Sequence, residues 1–128
     1  MYLYCVLLVT LFAVGSYADK ATCIHNKFNT DIGEQGYRTC HENSGATAIP
    51  RIKQCFQNYL KDKEVVITAS NGQMTVDRTK FTTLGSSTSS TKVGQAIQAC
   101  AAKNEDRMYQ EAARAVQCVF SEVKKSCK

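Results

Sequence analysis

Asn104 to Cys127, NEDRMYQEAARAVQCVFSEVKKSC, is the stretch whose periodicity decides the fold. At about 100° per residue, Met108, Ala112, Ala115, Val116, Val119, Phe120 and Val123 fall on one stripe, and Arg107, Gln110, Glu111, Arg114, Gln117, Ser121, Glu122 and Lys125 fall opposite it. One amphipathic helix over 104–127 is expected. Asn104 suits its N-cap, Glu105 and Asp106 complement the positive end of its dipole, and Lys124 and Lys125 the negative end. Cys118 and Cys127 are half a turn out of phase, so they should not pair with each other, and each should tie this helix to a different segment.

Working outward, the same period recurs twice. Lys92 to Lys103 carries Val93, Ile97, Cys100 and Ala101 inward, with Ser90 or Thr91 as cap. Pro50 to Lys61 repeats Ile52, Cys55, Phe56, Tyr59 and Leu60 against Lys53, Gln54, Asn58 and Lys61, and proline suits a first helical position. Thr22 to Phe28 reads as one or two helical turns. Asp31, Gly33 and Gly36 then argue for irregular chain up to Cys40, and Glu42 to Thr47 also reads as loop.

Between the helices over 50–61 and 92–103 the period drops to two. Val65-Val66-Ile67-Thr68-Ala69, Asn71-Gly72 and Met74-Thr75-Val76 predict a β-hairpin at 65–77. A two-residue turn at Asn71-Gly72 pairs Ile67 with Val76 and Ala69 with Met74. Continuation of Thr75 to Leu84 as helix is the competing reading. Gly85-Ser86-Ser87-Thr88-Ser89-Ser90-Thr91 is low in complexity and reads as a loop open to O-linked sugar. The fold class is therefore mainly α: a small disulfide-stapled bundle of three to four helices with one hairpin.

The staples are expected from the cysteines. Val6 to Val14 is a short apolar run, and Ser16-Tyr17-Ala18 places small residues where a signal peptidase reads, so residues 1–18 are expected to be a signal peptide cleaved before Asp19. The run is shorter than the ~20 residues that span a bilayer. Cys5 leaves with the leader, and Cys23, Cys40, Cys55, Cys100, Cys118 and Cys127 remain, an even set suited to an oxidising, extracellular setting. Residues 19–128 have the size of a single secreted domain. Spacing alone does not choose the pairing. A Cys100–Cys118 bond requires the turn near Asn104 to fold the third helix back along the fourth.

The net charge of +5 all belongs to the mature chain, and Lys124, Lys125 and Lys128 crowd its end. Such a balance favours acidic surfaces and anionic headgroups, but no aromatic-basic module points to nucleic acid. No integral membrane association is expected. The mature chain has no Asn-x-Ser/Thr sequon. Candidates for chemistry reduce to Cys40-His41-Glu42 as an acid/base or calcium-type cluster, and His25 with His41 as a proton-transfer pair. Neither belongs to a recognisable motif. Metal-binding, nucleophile-elbow and phosphate-loop patterns are lacking, so a non-enzymatic protein without metal or cofactor is expected.

The cleaved leader, chain length, six cysteines, helical segments and Cys118-x₈-Cys127 ending together resemble the arthropod odorant-binding and pheromone-binding proteins, helical carriers of small apolar molecules. That resemblance implies bridges from first to third, second to fifth and fourth to sixth cysteine. Here these are Cys23–Cys55, Cys40–Cys118 and Cys100–Cys127, stapling the N-terminal segment to the second helix, the loop cysteine to the last helix, and the chain end.

Two functions are carried forward. In a carrier, Phe28, Phe56, Tyr59, Leu60, Met108, Val116 and Phe120 would line a pocket for a small apolar ligand, unless they fill a solid core. In a secreted effector of venom, salivary or defence type, the basic end and the loops Tyr37–Gly45 and Gly85–Lys92 would meet a receptor, channel or host protein. Membrane lysis ranks below both.

Overall fold

The computed structural model describes residues 22–32 and 49–127. The expectations for the leader, for Gly33 to Cys40, for Glu42 to Thr47, for the Cys40-His41-Glu42 cluster, for the Tyr37–Gly45 loop and for Lys128 lie outside those residues. The described chain is mainly helical with one small antiparallel sheet. Its elements are α1 (22–32), α2 (Ile49–Asp62), β1 (Val66–Thr68), β2 (Met74–Val76), α3 (Arg78–Ser87), α4 (Lys92–Lys103), α5 (Asp106–Gln110) and α6 (Ala112–Lys125).

The expected helix over 104–127 is two helices. Asn104 adopts φ 50°, ψ 44° and closes α4 from the left-handed region, so it is a C-cap and not the N-cap expected. Glu111, at φ −132° and ψ 106°, interrupts the helix between α5 and α6. The break lets Met108 and Tyr109, adjacent in sequence, both turn inward, and Tyr109 meets Phe81 edge-on at 6.0 Å between ring centroids. The whole predicted stripe from Met108 to Val123 is buried on both sides of the break. The turn brings α4 against α6.

The hairpin forms one residue out of the expected register. β1 and β2 pair Val66 with Val76, Ile67 with Thr75 and Thr68 with Met74. The cause lies in the turn. Ala69 N–H donates to Gln73 O at 2.8 Å and Gly72 N–H to Ala69 O at 2.9 Å, while the Asn71 side chain accepts from Gln73 N–H at 3.0 Å. Ser70, Asn71 and Gly72 thus form a three-residue loop with Gly72 alone at positive φ (85°), where a type I′ turn needs two such residues. One residue of slip exchanges the faces. Val66 and Val76 are buried, and Ile67 is 45 % exposed.

Asp77 ends the hairpin and starts α3, its carboxylate accepting from Lys80 N–H at 2.9 Å. Helix α3 then runs through Gly85-Ser86-Ser87, where the sequence predicts loop. The reason is tertiary. Gly85 is buried against Ile97 and Gln98 of α4, and Gly94 lies so close to the Thr88 carbonyl that a Cβ would be driven into it. Low complexity here is a surface of small residues that lets two helices approach. Helix α4 has the predicted bounds, and Thr91 is its cap, accepting from Gly94 N–H at 2.9 Å. Asp31, expected in irregular chain, is in α1 and accepts from Val93 N–H at 2.9 Å, adding a second cap from across the fold.

The sulfur bridges correct the pairing that the resemblance implied. Cys23 bonds Cys127 and Cys100 bonds Cys118. Cys55 is also in a disulfide. Neither Cys23–Cys55, Cys40–Cys118 nor Cys100–Cys127 can coexist with these bonds. The return of the chain at Asn104 meets the condition for Cys100–Cys118, and Cys127 reaches α1 because α6 ends beside it.

The core joins α1, α2, the hairpin and α3 to α6 in one cluster. Phe28 packs on Phe56 at 5.1 Å and on Phe120 at 6.1 Å, and Phe56 packs on Tyr59 at 6.1 Å. These rings come from α1, α2 and α6, whose apolar stripes converge there.

Candidate functional site

With its apolar stripe buried, α6 turns Arg114, Gln117, Ser121, Lys124 and Lys125 outward. The neighbouring helices add a cation on each side. From α2, the Lys53 ammonium donates to Gln117 Oε1 at 2.6 Å and lies 4.9 Å above the centre of the Phe120 ring. From α4, Lys103 reaches Glu122 Oε1 at 3.4 Å. Lys125 reaches the same oxygen at 3.0 Å.

Glu122 therefore sits between two lysines, and at 17 % exposure it is the least accessible member of the triad. The Lys125 hydrogen bond, followed by the attraction of Lys125 and Lys103, holds its carboxyl below the usual carboxylate range; its partial burial acts in the opposite direction. Arg114 Nε pairs with Glu111. Gln117 Nε2 donates to Ser121 Oγ at 3.1 Å, which orders the polar stripe between the cations.

Beside this stripe lies an open groove of about 490 Å³, bounded by Lys103, Glu105, Met108, Glu111, Arg114 and Ser121 among others. Its wall includes Cys118, so the Cys100–Cys118 bridge fixes the spacing of its two sides. A cleft of fixed width that sets the cations Lys103 and Arg114 and hydrogen-bonding side chains beside Glu105, Glu111 and apolar surface suits recognition of a ligand that is both polar and extended. It offers no nucleophile paired with a base.

Of the seven residues expected to line an apolar pocket, Phe28, Phe56, Tyr59, Leu60, Val116 and Phe120 lie in the core, and Met108 is buried at the wall of the groove. His25 is half-buried in α1, and His41 lies outside the described residues. Among the described residues no cluster of three or more His, Cys, Asp or Glu is placed to hold a metal, and no helix is long and apolar enough to cross a membrane. The sequence marks Arg114, Gln117, Ser121 and Lys125 as an outward stripe. It carries no signal that Lys53, 64 residues from Gln117, completes it.

No family model matches this chain, and no curated protein or solved structure matches it.

Proposed function

We propose that this is a secreted, non-enzymatic binding protein that acts through its surface on an extracellular partner. The observation that carries the reading is the fate of the apolar residues. Phe28, Phe56 and Phe120 are at most 4 % exposed and touch ring to ring, which leaves no ligand-sized gap between them. Contacts of that kind support a packed core at these three residues. Secretion is supported by the leader-like apolar run and by disulfides that persist outside a reducing compartment.

The test is uptake of an apolar probe. A fluorescent fatty acid titrated into the oxidised mature protein, with native mass spectrometry of the same sample, is expected to show no stoichiometric complex. A one-to-one complex displaced by unlabelled fatty acid would establish the carrier instead. N-terminal sequencing of protein recovered from the medium of expressing cells is expected to begin at Asp19.

A further inference from the structure

We infer that the outward face of α6, flanked by Lys53 and Lys103, binds a sulfated polysaccharide; this deepens the surface-acting reading and rests on it. The cations are distributed as a linear polyanion requires. Arg114 to Lys125 spans roughly 16 Å at about 1.5 Å per helical residue. Lys53 and Lys103 widen the positive strip on its two sides, held there by Gln117 and Glu122. A compact anion touches one or two of these groups, whereas a chain with repeated sulfates meets them in succession.

Lys53, Lys103, Arg114, Lys124 and Lys125 face the carboxylates of Glu105, Glu111 and Glu122, so the strip stays positive although two of those carboxylates are paired with its cations. Glu122 is held between Lys103 and Lys125, and Glu111 by Arg114 Nε, which leaves the two terminal guanidinium nitrogens to donate to a sulfate as a fork. Glu105 also lines the groove, and its charge opposes an anionic chain there. Ser121, whose hydroxyl accepts from Gln117 and keeps its own proton to donate, stands between the cations and matches the hydroxyls of a sugar.

Two other polyanions fit less well. Insertion into an anionic membrane needs exposed apolar side chains, and the large exposed hydrophobic among the described residues is Ile67, on the hairpin and not on this face. Stacking on single-stranded nucleic acid needs an exposed aromatic, and Phe120 is buried beneath Lys53.

The experiment is a calorimetric titration of the full oxidised protein with a heparin oligosaccharide, with its desulfated form and with phosphatidylserine vesicles. Binding is expected for the sulfated sugar alone, weakening as salt rises. Substituting Lys53→Gln, Lys103→Gln and Arg114→Gln together should weaken it about tenfold or more, and the equal charge loss of Lys61→Gln, Lys80→Gln and Lys92→Gln by about twofold at most. In the unaltered protein, heparin should protect Lys53, Lys103 and Lys124 from amine acetylation, a readout independent of how the variants fold. Equal losses in the two triple variants, equal binding of desulfated sugar, preference for vesicles, or absence of protection would overturn the inference. No sugar binding together with no fatty-acid uptake overturns this inference alone, whereas stoichiometric fatty-acid uptake overturns the reading beneath it.

Discussion

Gly94 is where a single atom matters most. Its α-carbon faces the Thr88 carbonyl at a separation that excludes a methyl group, and both sides of the contact are backbone held by caps. Gly94→Ala must part α3 from α4 and is expected to cost about 2–4 kcal/mol in denaturant unfolding. At Gly85 a Cβ would lie 3.0 Å from Ile97 Cγ2 and Gln98 Cγ, side-chain atoms with room to give. Gly85→Ala should therefore cost less, about 1 kcal/mol; the reverse order would contradict the packing described. Glu122 supplies a residue-scale test of charge. Its carboxyl titrates below the usual value of 4.5, so its contribution is present above that value and is lost as pH falls through the folded-state value. Glu122→Gln should lower stability by up to ~1 kcal/mol near neutrality, since Lys103 and Lys125 are 47 % and 70 % exposed. The gap between variant and parent should close on acidification, and a gap that persisted at low pH would point to packing instead.

At the scale of elements, local chemistry and tertiary demand separate cleanly. Helix α4 was legible to its bounds because its Thr91 cap and buried Val93, Ile97 and Cys100 are written within twelve residues. The break at Glu111 was not, because nothing local forbids a helix there; Tyr109 turns inward toward Phe81, which belongs to another element. The hairpin was legible as a hairpin, yet its register hung on whether one or two turn residues take positive φ, and only Gly72 does. That register is open to test by unfolding. Val66→Thr should destabilise by about 1–2 kcal/mol, as a buried methyl is exchanged for a hydroxyl, while Ile67→Thr should be nearly neutral. Asp31 likewise joins elements, accepting from the second residue of α4 across 62 positions of sequence. Asp31→Ala should cost about 0.5–2 kcal/mol and melt first at the start of α4, seen as faster amide exchange at Val93.

For the molecule as a whole, covalent topology follows from how the helices return, which is why the pairing escaped a reading based on spacing. The amphipathic stripes were visible in sequence and named most core residues of α2, α4 and α6 but not Phe81, Tyr109 or Val66, and the order in which the stripes pack sets both the bridges and the surface that carries Lys53 beside Gln117. The two described bridges constrain the chain very unequally. Cys23–Cys127 spans 104 residues and links α1 to the chain end, whereas Cys100–Cys118 spans 18 within one helical return. Restriction of the unfolded chain alone is worth about 4.7 kcal/mol for a loop near the first length and about 3 kcal/mol for one near the second. Replacing Cys23 and Cys127 together by Ala should therefore lower unfolding stability by more than replacing Cys100 and Cys118, by roughly 1–2 kcal/mol. The groove should respond in the opposite sense, because Cys118 forms part of its wall. Loss of the short bridge should speed amide exchange at the end of α4 and the middle of α6 while leaving α1 protected, and a uniform loss of protection would show that the short bridge supports the whole bundle rather than this one face.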